Sequence, residues 1–122
     1  MKTCLVVDDS EPVRIVAREM LENLDLNVLE AADGLSALAI CGEAMPDAIL
    51  LDRNMPVMNG IEFLHALRTR DGGDRPVVII CTGEINVNLI QEAISAGADE
   101  YVLKPFDSVM VKQKLNRTGI IG

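Results

Sequence analysis

Asp8 and Asp9 stand side by side at the end of an apolar run, Leu5-Val6-Val7. Two carboxylates this close disfavour each other's ionisation, so a cation is expected nearby. Asp52 also ends an apolar run, 48–51, and is followed by Arg53 and Asn54. Thr82 ends a third run, 77–81, and Lys104, just before Pro105, ends a fourth, 101–103. Lys104 offsets one of the three carboxylate charges, and a divalent cation would offset the other two. Oxygen ligands with no His or Cys among them select a hard ion, and Mg2+ suits one or two carboxylates completed by water. A carboxylate nucleophile, a metal ion, a hydroxyl donor and an ammonium are together the parts needed for phosphoryl transfer. Taken singly, each has an ordinary explanation: Asp8-Asp9 as a solvated turn, Thr82 as a strand terminus. Their meaning depends on whether the chain brings them together.

The intervening segments say that it does. Strand-like and helix-like stretches alternate. Residues 4–7 read as a short strand buried on both faces; 48–51, 77–81 and 101–103 read as further strands, and 27–30 could form a short second one. Ser10-Glu11-Pro12 opens the first helix with a cap, an acid and a first-turn proline. Val13, Val16, Ala17, Met20, Leu21 and Leu24 then keep helical spacing. Leu35, Leu38 and Ala39 mark a second helix, and Ile61, Leu64 and Leu67 form the inward face of a third. The fourth, 86–96, is expected to turn Leu89, Ile90, Ala93 and Ile94 inward and to end at Gly97. A last helix, from about Ser108, carries Val109, Val111 and Leu115. Five βα units are too few for an eightfold barrel. They predict an α/β fold, (βα)5, with a doubly wound parallel five-stranded sheet. Sites in such sheets lie beyond the carboxyl ends of the strands, where Asp8, Asp9, Asp52, Thr82 and Lys104 all fall.

Composition bounds the remaining possibilities. A chain of 122 residues is one domain by length. With no Trp, one Tyr and two Phe, the core must be aliphatic. A net charge of -8 argues against nucleic acid and against anionic membrane surfaces. No run approaches a membrane span and the N-terminus holds no signal-peptide core, so a cytoplasmic location is expected. Cys4, Cys41 and Cys81 have no metal-type spacing and read as small buried hydrophobes. His65, the only histidine, reads as a surface helix residue.

The stretches VVDDS, LLDRNMPVMNG, ICTGE and YVLKPF, in this order and spacing, resemble the receiver domain of bacterial two-component response regulators. The resemblance covers the whole chain and implies the flavodoxin-like strand order 2-1-3-4-5. It implies a signalling switch, not a classical enzyme. Asp52 would accept a phosphoryl group from a histidine kinase or a histidine phosphotransfer protein, and would lose it by slow self-hydrolysis. Asp9 would hold Mg2+ directly, Asp8 mainly through water, and the Asn54 backbone carbonyl would complete the protein ligands beside Asp52. Thr82 and Lys104 would hold the phosphoryl oxygens. Lys104-Pro105 would be cis. Tyr101 matches an aromatic switch residue, and Met55-Pro56 and Gly60 match the loop after the acceptor. Output would be by protein binding on the face made by the fourth helix, fifth strand and fifth helix, including Asn86, Asn88, Gln91, Glu92, Ser95, Tyr101 and Lys112. Residues 1–122 read as one stand-alone receiver without an output domain, a monomer until phosphorylated. A phosphorelay shuttle is the alternative. Asn54 and Glu84 resemble the chemotaxis-type members at positions flanking the site.

Rival chemistries fit less well. A flavin-binding protein of this fold needs a Ser/Thr/Gly-rich phosphate loop after the first strand, where this chain has DDSEP. An aspartyl phosphatase tends to carry a second Asp two residues after its nucleophile, where this chain has Asn54, which cannot transfer a proton. No nucleotide-binding loop is present, so the chain cannot be its own kinase from ATP. Arg53 departs from the apolar or neutral residue expected after the acceptor. The plain reading is a solvated arginine at the start of a loop; the alternative is that, because neighbouring strands lie ~4.8 Å apart, it could reach Glu84 across the mouth of the site and cover the approach of hydrolytic water.

Overall fold

The structure, a computed structural model, describes residues 1–122. Strands and helices alternate along the chain: β1 (Thr3–Val7), α1 (Glu11–Glu22), β2 (Asn27–Ala31), α2 (Gly34–Glu43), β3 (Ala48–Asp52), α3 (Gly60–Arg68), β4 (Val77–Thr82), α4 (Val87–Ala96), β5 (Glu100–Leu103) and α5 (Ser108–Arg117). The strands are parallel, in the order β2-β1-β3-β4-β5. The expected (βα)5 architecture and strand order are both present.

Strand periodicity divides the interior into two cores. Leu5, Val7, Ile49, Leu51, Val78 and Ile80 point to one face, where they meet Ala37, Leu38 and Cys41 of α2, Phe63, Leu64 and Leu67 of α3, and Ala93 and Ala96 of α4. Cys4, Val6, Ala48, Leu50, Ile79, Cys81 and Val102 point to the other, against Ala17 and Leu21 of α1 and Val111 and Leu115 of α5. A parallel sheet must be covered on both faces, which is why its strands are apolar runs and not alternating ones. All three thiols are buried in these cores, as expected. Burial pushes the Cys4 thiol up to about 12 and the Cys81 thiol higher still.

The apolar stripes read from the helices are broader than the faces the sheet covers. Ile94, expected to point inward, is 58% exposed, and Val16, Leu35 and Val109 also lie open to solvent. Ile94 sits beside buried Ala93, Val16 beside Ala17 and Leu35 beside Gly34, while Val109 lies two residues before Val111. A step of 100° turns a side chain off the narrow line of contact with the sheet.

Every helix begins on the carboxyl edge of the sheet, and each has a side-chain cap there. Ser10, Asp33, Asn59, Asn86 and Asp107 accept backbone N–H groups of the first turns of α1 to α5 in order. Asn59 and Glu62 complete a reciprocal capping box on α3. Gly97 ends α4 in the left-handed region, at φ 112°. Gly60 serves a different need: a Cβ there would lie 2.6 Å from the Asp52 carbonyl oxygen. Only glycine lets α3 start this close to the end of β3.

The β3–α3 loop that joins them contains a tight turn. Met58 N–H donates to the Pro56 carbonyl at 2.7 Å across Val57, whose φ is 69°. A β-branched residue is strained in that region, while Asn tolerates it. Val57 is 88% exposed and packs against nothing that would be lost. Val57→Asn should therefore stabilise the protein by about 1 kcal/mol, the low end of the cost of such strain. The check is a higher denaturant midpoint at unchanged slope; an equal or lower midpoint would refute strain at this residue.

Candidate functional site

In the order β2-β1-β3-β4-β5 the chain leaves β1 in one direction to reach β2, and the later strands build on the other side. The carboxyl ends of β1 and β3 therefore flank the crevice of the sheet. Asp8, Asp52 and Thr82 are the buried polar side chains of the molecule, at 3%, 5% and 5% exposure, and all three lie on this edge. Carboxylate oxygens of Asp8, Asp9 and Asp52 lie within 4.8 Å of one another. Asp9 is exposed at the mouth.

Lys104 arrives from the end of β5. Its Nζ is 2.7 Å from Asp8 Oδ2 and 3.2 Å from Asp52 Oδ1, so one ammonium bridges two buried carboxylates from two other strands. Lys104-Pro105 is cis, as expected. Asp8 Oδ1 also accepts the Ser10 N–H at 2.9 Å, and Asp52 Oδ1 the Asn54 N–H at 3.2 Å. Thr82 is turned toward its own loop: its hydroxyl donates to the Glu84 carbonyl at 3.1 Å. Tyr101 is half-buried, with Lys114 Nζ 4.9 Å from its ring centre.

The electrostatics follow from this crowding. Burial, and then the charge of Asp8, push the Asp52 carboxyl above its ordinary range, while Lys104 and the Asn54 N–H pull it back in part. Burial works against the Lys104 ammonium, but its hydrogen bond to Asp8 and the charges of Asp52 and Asp8 outweigh that effect and hold it above its ordinary value. Three carboxylates against one ammonium leave a net negative crevice. Its donors are all oxygen, the three thiols are buried in the cores, and His65 lies exposed on α3. This donor set fits Mg2+.

Two features were beyond reach of the sequence. Arg14 of α1 donates to the Asp8 carbonyl at 2.7 Å and pairs with Glu30 of β2 at 3.1 Å, pinning the end of β1. No local spacing marks that contact. Arg53 does not reach Glu84. It pairs instead with Glu92 of α4 at 2.6 Å and donates to the Leu89 carbonyl at 3.4 Å. The side chain leaves β3 toward the flank of α4, while Glu84 sits in the loop before that helix.

Fold and site together define an open, doubly wound α/β domain with an acidic, lysine-bridged crevice at its switch point. The chain matches the family of response regulator receiver domains over residues 4–116 and belongs to it. It is a receiver domain of two-component signal transduction. It is 37% identical to sporulation initiation phosphotransferase F of Bacillus subtilis, over 84% of this chain and 82% of that one. A structure of Vibrio cholerae chemotaxis protein CheY4 superposes with a TM-score of 0.92 at 35% identity, covering 96% of this chain and 98% of that one. The receiver domain of the Pseudomonas aeruginosa sensor histidine kinase PA1611, solved with a magnesium ion coordinated in its active site cleft, superposes with a TM-score of 0.87 at 28% identity, covering 95% of each chain.

The crowding has a measurable consequence. Mg2+ should stabilise the protein, by about 2.7 kcal/mol at one hundred times the dissociation constant. Asp9→Ala should raise the stability of the metal-free protein by roughly 1 kcal/mol, the size of a water-exposed repulsion at 4 Å, and should abolish the Mg2+ response. Melting temperatures with and without millimolar Mg2+ test both. A wild-type protein indifferent to the ion would count against the site.

Proposed function

We propose that the protein is a phosphorylation-controlled signalling switch with Asp52 as its acceptor. The observation that carries this reading is Asp52 itself, a buried carboxylate at the switch point, 3.2 Å from Lys104 and within reach of Asp8 and Asp9. Asp8, Asp9, Asp52 and the Asn54 carbonyl would hold Mg2+. When bound, the ion supplies positive charge to the crevice and to the transferring phosphoryl oxygens.

An Asp52 carboxylate oxygen attacks the phosphorus of a phosphohistidine on a histidine kinase or phosphotransfer protein. The new P–O bond forms as the P–N bond breaks, and the departing imidazole nitrogen keeps the bonding pair and takes a proton from solvent. Lys104 is already aimed at Asp52 and exchanges part of its carboxylate pairing for a phosphoryl oxygen. The Thr82 hydroxyl, bonded to the Glu84 carbonyl at rest, rotates to donate to a second oxygen. Its departure frees the β4–α4 loop, and Tyr101 senses the change on the adjacent strand. Asn54, two residues after the acceptor, cannot act as a general base, so hydrolysis of the acyl phosphate is slow self-loss. Output is protein binding on the α4–β5–α5 face, where Val87 and Ile94 are exposed. Similarity to a sporulation phosphotransferase favours a second reading, in which Asp52 passes its phosphoryl group onward to another protein's histidine.

Incubated with acetyl phosphate and Mg2+, the protein should gain one phosphoryl group that hydroxylamine removes. Asp52→Asn should gain none, and Lys104→Ala should fold but transmit the modification poorly to α4. Equal labelling of the Asp52→Asn variant would overturn the assignment. Chase of the labelled protein with a histidine phosphotransfer domain separates the two readings: transfer supports the relay, retention the switch.

A further inference from the structure

Arg53 directly follows Asp52, and its backbone is held from two sides. Its N–H donates to the Cys81 carbonyl of β4, and its carbonyl accepts the Gly60 N–H of α3, each at 2.9 Å. Its side chain crosses to a third element. Nη2 donates to Glu92 Oε1 at 2.6 Å and Nη1 to the Leu89 carbonyl at 3.4 Å, both on α4. The Arg53 side chain is 14% exposed and that of Glu92 54%, so the strap is sheltered at its arginine end and open to solvent at its glutamate end. Beneath it lies a cavity of about 10 Å³, lined by Arg53, Thr82, Leu89, Ile90, Ala93 and Tyr101. That is room for one water at most. Tyr101 and three residues of α4 thus border the same small space as the Arg53 side chain.

We propose that Arg53 is a positioning residue that straps α4 to the strand carrying Asp52 and keeps this cavity shut in the unloaded protein. The inference rests on Asp52 being the residue that is loaded. Movement of the Thr82 hydroxyl to a phosphoryl oxygen there frees the loop before α4, and the contacts of Arg53 with Glu92 and Leu89 resist the shift of that helix. Release of Glu92 frees α4. By linkage, a contact that holds the unloaded arrangement must oppose loading by the factor with which loading opposes the contact.

The direction of this effect separates it from simple electrostatics. Removing a positive charge beside an anion site should weaken anion binding, whereas removing a strap that holds the resting state should tighten it. Beryllium fluoride with Mg2+, a mimic of the phosphoryl group, is the probe. Arg53→Ala and Glu92→Ala should each tighten its binding by roughly two- to fivefold, the shift an ion pair of this kind can impose. The double variant should gain no more than either single one. Arg53→Lys, which can still reach Glu92, should return toward wild type. Glu92 is exposed, so its variant reports even if loss of Arg53 harms folding. Tyr101 is the only tyrosine in a chain without tryptophan, so intrinsic fluorescence reports on this cavity. The unloaded variants should already show part of the fluorescence change that loading produces in wild type. Unchanged or weaker binding in both single variants, or effects that add in the double, would overturn the strap. Asp52→Asn should bind no beryllium fluoride; binding equal to wild type would overturn the acceptor assignment on which the strap depends.

Discussion

The organising interaction is the ammonium of Lys104 between the carboxylates of Asp8 and Asp52. Two buried like charges on neighbouring strands are unstable unless an opposite charge stands between them. Here that charge comes from β5, two strands away from β3 in the sheet. The bridge closes only if all strands end at the same level and the sheet curves its edge toward one point. Pairing supplies that level: Val7 stands opposite Leu51, Asp52 opposite Cys81, and Thr82 opposite Leu103. Even so, one ammonium against three carboxylates leaves the crevice short of positive charge. A site built in this way has a place for a cation.

The rest of the fold makes that imbalance tolerable. Both faces of the sheet are covered by apolar side chains, so polar chemistry is confined to its edge. The five capped helix starts surround the same edge, and their free N–H groups add partial positive charge around the acidic centre. Gly60 lets α3 sit against the end of β3, and Arg14 ties down the end of β1. The ends of β1 and β3 thus hold Asp8 and Asp52. Backbone position and side-chain direction are separable, as Thr82 shows: it ends β4, fixed opposite Leu103, yet its hydroxyl is committed to the Glu84 carbonyl and not to the crevice.

The same contrast explains Arg53. Its backbone belongs to the rigid part, locked to β4 and α3, and its side chain reaches a helix whose inward contacts are mostly small residues, Ala93 and Ala96. A helix packed through alanines has little apolar area at stake in a small shift. A polar strap can then weigh as much as the packing does in deciding where it rests.

The order of the elements, their parallel arrangement and the residues at their ends were legible in the sequence. Those depend on local signals: apolar runs of strand length, cap residues before helical stripes, Gly97 at a helix end. The convergence of Asp8, Asp9, Asp52 and Lys104 was legible too, because parallel strands place all their carboxyl ends on one edge whatever their order. Which members of each helical stripe are buried was not, since Ile94 and Ala93 are apolar neighbours in sequence and only the line of contact with the sheet buries the smaller one and leaves the larger one out. Nor was the choice of Arg53 between Glu84 and Glu92. Strand spacing brings both within reach of a long side chain. The direction in which that side chain leaves β3, and the position of α4 against the sheet, are settled by packing among residues far apart in the chain.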